Sequence, residues 1–329
     1  MVSPTVINEF RLGFSGNHTA TSFAIQASQA ANELGLTNLP GPVPAGDTEP
    51  NFRIRGFQNT GGQASNLAKN GTTQLLDTVT WTKGSHSMKF GADYRYLTGL
   101  YTNVFATLRL GSYAFNGSVM SALLGPGAGT PFASFLLGYP DSTTIATVLQ
   151  ADTHAYASHY GFFAQDDWKV SRSLTINYGL RYEYQPMFLD RLNNLATFLP
   201  NYTATVNGAA VHGAVVVPNQ QTLAIIDPGF SQSILPTPIL TAAQAGIPSS
   251  LRYSQKTDFA PRIGFAWRPF NDDKTVLRGG YGRFIEALLD SAVLDAWAVE
   301  SSDVGVFKNS LANGTPTYQF PYSYPSNIA

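Results

Sequence analysis

Residues 160–184 read YGFFAQDDWKVSRSLTINYGLRYEY, and from Leu174 every even position is apolar: Leu174, Ile176, Tyr178, Leu180, Tyr182 and Tyr184. The positions between them are Thr175, Asn177, Gly179, Arg181 and Glu183. Period-two alternation marks a strand with one apolar and one polar face. With 43% of residues apolar, six such hits in a row arise by chance about 0.6% of the time per register, so the pattern is informative. Two further stretches repeat it. Met88, Phe90, Ala92, Tyr94 and Tyr96 alternate with Ser87, Lys89, Gly91, Asp93 and Arg95; Phe259, Pro261, Ile263, Phe265 and Trp267 alternate with Ala260, Arg262, Gly264, Ala266 and Arg268. Weaker alternation covers 5–14, 73–82, 156–170 and 274–284. Pro261 lacks a ladder donor, which predicts a bulge or a strand end.

The connections between these strands are of two kinds. Lys83-Gly84-Ser85, Ser171-Arg172-Ser173 and Pro269 to Lys274 are short turns, whereas 15–72, 97–155, 186–257 and the stretch from about 285 are long and turn-rich. Soluble domains rarely carry structureless loops beyond about 12–15 residues. Outer-membrane barrels do, with short turns on the periplasmic rim and long loops on the extracellular one. Here short and long connections alternate strictly. Trp81, Trp168 and Trp267 each sit just before a short turn, followed by Lys83, Lys169 and Arg268, and each turn leads into a strand with a glycine: Gly91, Gly179 or Gly279. Tryptophan at one depth is what a lipid-interface girdle requires. Asp166 falls on the face of Tyr160, Phe162 and Trp168, close to a turn, where a charge toward lipid costs least. Within 109–150, Gly111 to Phe115 and Ser142 to Gln150 read either as another strand pair around a helical turn at Pro131–Gly138 or as folded loop. Residues 286–300 read as a short helix.

The composition agrees with this. Only 12% of the 329 residues are charged, 12% are aromatic, and cysteine is absent. The net charge of −1 argues against a nucleic-acid protein. There is no basic-then-apolar leader at the N-terminus and no run of about 18 apolar residues, so a membrane-spanning form has to be a closed sheet. The expected fold is all-β, an antiparallel transmembrane β-barrel with long extracellular loops, of which this chain supplies about seven to nine strands.

The stretches VINEFRLGFSGN (6–17), DTVTWTKGSHSMKFGADYRY (77–96), FASFLLGYPDS (132–142), YGFFAQDDWKVSRSLTINYGLRYEY (160–184) and DFAPRIGFAWRPFNDDKTVLRGGYGRF (258–284) together resemble the TonB-dependent receptors of the Oar-like group. The resemblance implies an outer-membrane barrel of about 22 strands in a Gram-negative bacterium, occluded by an N-terminal plug. It further implies active nutrient uptake driven through a TonB box by TonB–ExbB–ExbD. Outer-membrane lipid and the protein's own plug are then partners, with an oligosaccharide, siderophore or peptide as substrate. On this reading 1–329 is a partial barrel domain without plug or signal peptide. A passive porin, an adhesion barrel, an outer-membrane enzyme or a secreted carbohydrate-binding β-sandwich are the competing classes. The sandwich would bury the apolar faces between packed sheets.

Catalytic, cofactor and metal sites are not expected. Of the five histidines only His154 and His159 are close, and their spacing puts them on opposite faces of a strand. Asp166-Asp167 and Asp272-Asp273 read as hydrated charges near a rim, since neighbouring side chains on a strand diverge. Arg278-Gly279-Gly280 is a single RGG copy inside an alternating strand and reads as structural. The sequons at Asn17, Asn70, Asn116, Asn201 and Asn313 read as polar turns. The face opposite the apolar one carries Lys89, Asp93, Arg95, Arg181, Glu183, Arg262, Arg268 and Arg278. These lumen-facing candidates either form ion pairs within the wall and contacts to a plug, or line a substrate path. Gly91, Gly179 and Gly264 on that face read as curvature devices.

Overall fold

The structure, a computed structural model, describes residues 3–22, 25–39, 43, 46, 48–62, 66–102, 106–148, 152–206, 208–226, 228–270, 274–286 and 302–324. Its main sheet is a meander of seven strands: β1 (Val6–Thr21), β2 (Asn66–Lys83), β3 (His86–Tyr101), β4 (Thr153–Lys169), β5 (Leu174–Tyr184), β6 (Asp258–Trp267) and β7 (Leu277–Gly282). Each pairs antiparallel with the next, and the six ladders run without a register shift. Among the described residues β1 and β7 do not pair with each other, so the sheet is open.

Directly paired residues share a face, and the ladders therefore sort the side chains. One face carries the rows Leu75–Tyr94–Tyr160–Tyr184 and Tyr178–Ile263–Tyr281. The other carries Thr80–Lys89–Gln165–Gly179–Arg262–Gly282. The apolar face is not covered by a second sheet: Phe162 is 53%, Leu180 46% and Ile263 57% exposed. That removes the β-sandwich.

Several strands run further than their alternation. On β1 the apolar positions Phe10, Leu12 and Phe14 give way to Gly16 and His18, yet pairing with β2 continues to Thr21. The long connections are correspondingly shorter than the hydropathy pattern predicts. Asn17 and Asn70 are not in turns but face each other across the β1–β2 ladder, and Asn201 also lies in a strand. Pro261 is neither at a bulge nor at a strand end. Its carbonyl accepts from Arg283 N–H at 3.0 Å, so its missing donor points toward β7 just where that ladder stops at Arg262–Gly282.

The long connections fold as modules with their own cores. Residues Ser112–Phe115 and Ser142–Val148 do pair, but as part of a separate five-stranded sheet with Asn51–Ile54, Thr60–Gly61 and Ser302–Lys308. Helices Ser118–Leu124 and Pro131–Leu136 lie between that strand pair. Ile54, Tyr113 and Phe115 form the module's core, flanked by Phe52, Phe135 and Phe320. Of the expected helix at 286–300, and of Asp272-Asp273, nearly all lies outside the described residues. A second module, with strands Thr197–Val206, Ala209–Val217 and Ile239–Thr241, packs Phe188, Leu195, Val216 and Leu251 onto Ala155 and Ala157 of β4. Those alanines are on the polar-face parity, so this module covers that face at the end away from the short turns.

Asp190 ties the second module to the sheet. It is buried, and its carboxylate accepts from the backbone N–H groups of His154 at 2.6 Å and Asn194 at 2.7 Å. Asp190→Ala should weaken this docking by about 2–3 kcal/mol. Hydrogen exchange at His154 and Asn194 should then accelerate, and unchanged protection at both amides would contradict the assignment.

Tyr113 is fully buried and hydrogen-bonded to Ser323 Oγ at 2.8 Å. Burial pushes its phenol up to about 12. Because the folded value lies above the unfolded one near 10, its contribution is complete below about pH 10 and is lost as pH rises toward 12. Alkaline unfolding of this module should flatten in Tyr113→Phe; an identical pH profile in the variant would rule Tyr113 out as the titrating group.

Candidate functional site

The polar face carries a hydrogen-bonded charge network that spans β2 to β5. Asp93, with a side chain only 5% exposed, accepts from Gln74 Nε2 at 2.8 Å, from the Arg95 guanidinium at 2.7 Å and from that of Arg181 at 3.1 Å. Arg181 also donates through Nε to Glu183 at 2.5 Å, and Gln185 donates to the other Glu183 oxygen at 2.8 Å. A carboxylate that is largely out of water needs this density of donors to offset its desolvation.

Arg181 and Asp93 are on β5 and β3, with β4 between them. The residue at the crossing is Gly161, in register with Asp93 on one side and Glu183 on the other. A Cβ there would sit 2.6 Å from an Arg181 guanidinium nitrogen. The missing side chain is what lets the arginine lie across the strand. Gly91 likewise leaves room for the Phe163 ring, which a Cβ would meet at 2.4 Å. Gly91 and Gly179 therefore make space for neighbouring side chains, whereas Gly264 has only ordinary contacts.

Toward the short turns this face opens into a groove of about 730 Å³. Five of the eight expected polar-face residues line it: Lys89, Arg95, Arg181, Glu183 and Arg262. Asp93 lies behind them in a smaller recess beside His159. Arg268 and Arg278 fall outside both; Arg268 donates to the carbonyl of Arg172 at the turn rim. Alternation also placed Gln165 and Asn177 on this face, but nothing local to the sequence marks Gln74, Gly161 or Phe163 as its partners.

The apolar face has one buried acid. Asp166 is 5% exposed, so it is not the hydrated charge expected from its position near a turn. His86 Nδ1 lies 2.6 Å from it, Tyr178 Oη donates at 2.9 Å, and His86 stacks on Trp168. Asp167 points the other way and accepts from Asn177 at 2.6 Å. His154 and His159 are on opposite faces, and no cluster of three metal-ligating side chains occurs among the described residues.

The tryptophans follow a regular stagger. Trp81 shares a row with Met88, Asp166, Tyr178 and Ile263; Trp168 with Ile176 and Phe265; Trp267 with Leu174. Each step moves two residues along the chain over two strands. One residue of rise per interstrand spacing corresponds to a slope of about 35°, the strand tilt that closed barrels adopt.

A family model, outer membrane beta barrel domain, matches residues 1–328. The chain belongs to the outer-membrane β-barrel family. No curated protein and no solved structure matches it. For an outer-membrane barrel protein, an uncovered apolar face and continuous ladders meet the same need, because hydrocarbon cannot hydrogen-bond the backbone. No helix among the described residues is long and apolar enough to cross a membrane; the crossing elements of this family are strands.

Gly161→Ala should displace the Arg181 guanidinium and uncouple Asp93 from Arg181 while leaving Asp93–Arg95 in place. In a double-mutant cycle the Asp93–Arg181 coupling should fall from about 1–2 kcal/mol to near zero in the Gly161→Ala background. A coupling of undiminished size would show that Arg181 does not need the gap.

Proposed function

We propose that this wall belongs to a TonB-dependent uptake receptor of the Oar-like group. Its apolar face would contact lipid and its polar face the lumen. The observation that carries the proposal is the division of labour along the polar face: a buried ion network and a loop module close its far end, while a groove stays open toward the short turns. A passive pore has little use for such closure. The sequence stretches that resemble the Oar-like receptors lie mostly in these wall strands and turns, which supports the finer assignment. Trp81, Trp168 and Trp267 would form the periplasmic girdle, with the short turns below them. Lys89, Asp93, Arg95, Arg181, Glu183 and Arg262 would face the lumen, together with Arg268 and Arg278 nearer the rim.

Two measurements test this. In planar bilayers the protein that carries this wall should show no steady ion conductance until urea unseats an occluding domain. It should also crosslink to TonB when substrate is present. Large, steady conductance steps without denaturant would favour a porin instead.

The lipid-facing assignment has its own check. Leu180→Arg places a charge on the apolar face, which costs about 2–4 kcal/mol at the bilayer midplane. Gln165→Arg makes the same change on the polar face one row away. The first should sharply reduce heat-modifiable, membrane-inserted barrel and the second should leave most of it. Equal losses would mean that the two faces do not separate lipid from lumen.

A further inference from the structure

The groove holds two cations that the charge network does not use. Lys89 and Arg262 occupy one row of the register, Lys89–Gln165–Gly179–Arg262. Three interstrand steps of about 4.8 Å put their backbones about 14 Å apart, within the joint reach of a lysine and an arginine side chain. Gly179 adds no side chain between them, and Gln165, next to it in the row, supplies the floor there. Neither cation is in an ion pair among the described residues. The Arg262 guanidinium instead lies 4.6 Å from the Phe284 ring centroid. A cation–π contact of this kind holds the guanidinium in place without using its N–H donors on an acid.

The groove carries two acids, Asp167 and Glu183, against the four cations Lys89, Arg95, Arg181 and Arg262. Asp167 accepts from Asn177, and Glu183 from Arg181 and Gln185. The groove is thus net positive, and Lys89 and Arg262, on either side of Gln165 and Gly179, are the two of its cations outside any ion pair among the described residues. Its volume of about 730 Å³ suits a small molecule rather than a folded partner.

We propose that this groove binds a small oxyanion-bearing molecule, its carboxylate or phosphate clamped between Lys89 and Arg262 over Gly179. As a substrate class for uptake this rests on the receptor reading above; as a binding site it stands on the groove alone.

The test is calorimetric titration of succinate and of inorganic phosphate into the protein purified in detergent, with glycerol as the uncharged control. Both anions should bind and glycerol should not. Lys89→Gln and Arg262→Gln should each weaken binding about tenfold or more, as expected for loss of a charged hydrogen-bond partner. Arg278→Gln, on the same face but outside the groove, should bind like the unchanged protein. Lys89 makes no hydrogen bond within the described wall, so Lys89→Gln decides the matter by itself if Arg262→Gln does not fold. The proposal is overturned if neither anion binds, if Lys89→Gln binds as tightly as the unchanged protein, or if Arg278→Gln weakens binding equally, which would indicate a diffuse field. Anion binding without energised uptake would sink the receptor reading alone; energised uptake without anion binding would sink the oxyanion site alone.

Discussion

Backbone hydrogen bonding is the constraint on which the rest of this structure depends. A sheet with one face uncovered and apolar has no water on that face to satisfy stray N–H and C=O groups, so the ladders themselves must be complete. The six ladders of the wall run without a shift, and even Pro261 directs its missing donor to the place where a neighbouring ladder has ended. With pairing unbroken, the side chains can only alternate, and one face becomes apolar while the other collects charge. The tryptophan stagger, the rows of the polar face and the position of every functional candidate are consequences of that unbroken register.

Charge inside such a wall has to be balanced locally. On the polar face the balance is made across strands: Asp93 and Glu183 share Arg181, and Gly161 supplies the space that the crossing needs. On the apolar face Asp77 stays exposed and accepts from Asn8, and the buried acid is Asp166. Asp166 is covered by His86 and Tyr178, which both meet its Oδ2. The two carboxylates are not served equally: Asp93 accepts at both oxygens, whereas the donors of Asp166 meet at Oδ2 and its buried Oδ1 is left without a hydrogen-bond partner among the described residues.

The loop modules show where hydrophobic burial takes over. Away from the short turns the strands lose their apolar band but keep their ladders, and the long connections fold around cores of their own. Ala155 and Ala157 form the joint between the two regimes, since they belong to a wall strand yet are fully covered by Phe188, Leu195 and Val216. This module rests on the polar face at the end away from the short turns, and none of its residues lines the groove.

The seven wall strands, their two faces and the short turns between them were determined by the sequence alone, because alternation and turn chemistry act over a few residues, whereas the strands inside the loop modules were not. Leu174 to Tyr184 needs no partner to show which side chains belong together, and the position of each tryptophan before a turn is equally local. Only the tertiary structure decided which charges meet. Arg181 reaches Asp93 across 88 residues of chain, and no local pattern marks Gly161 as the gap between them. The burial of Asp166 depends on His86 arriving from another hairpin. The far ends of the strands were hidden for a related reason: alternation records where a face is apolar, whereas pairing persists wherever a neighbouring strand offers its backbone. The separation of Lys89 and Arg262 from the ion network is likewise a fact of register, fixed by which residues of four strands share a row.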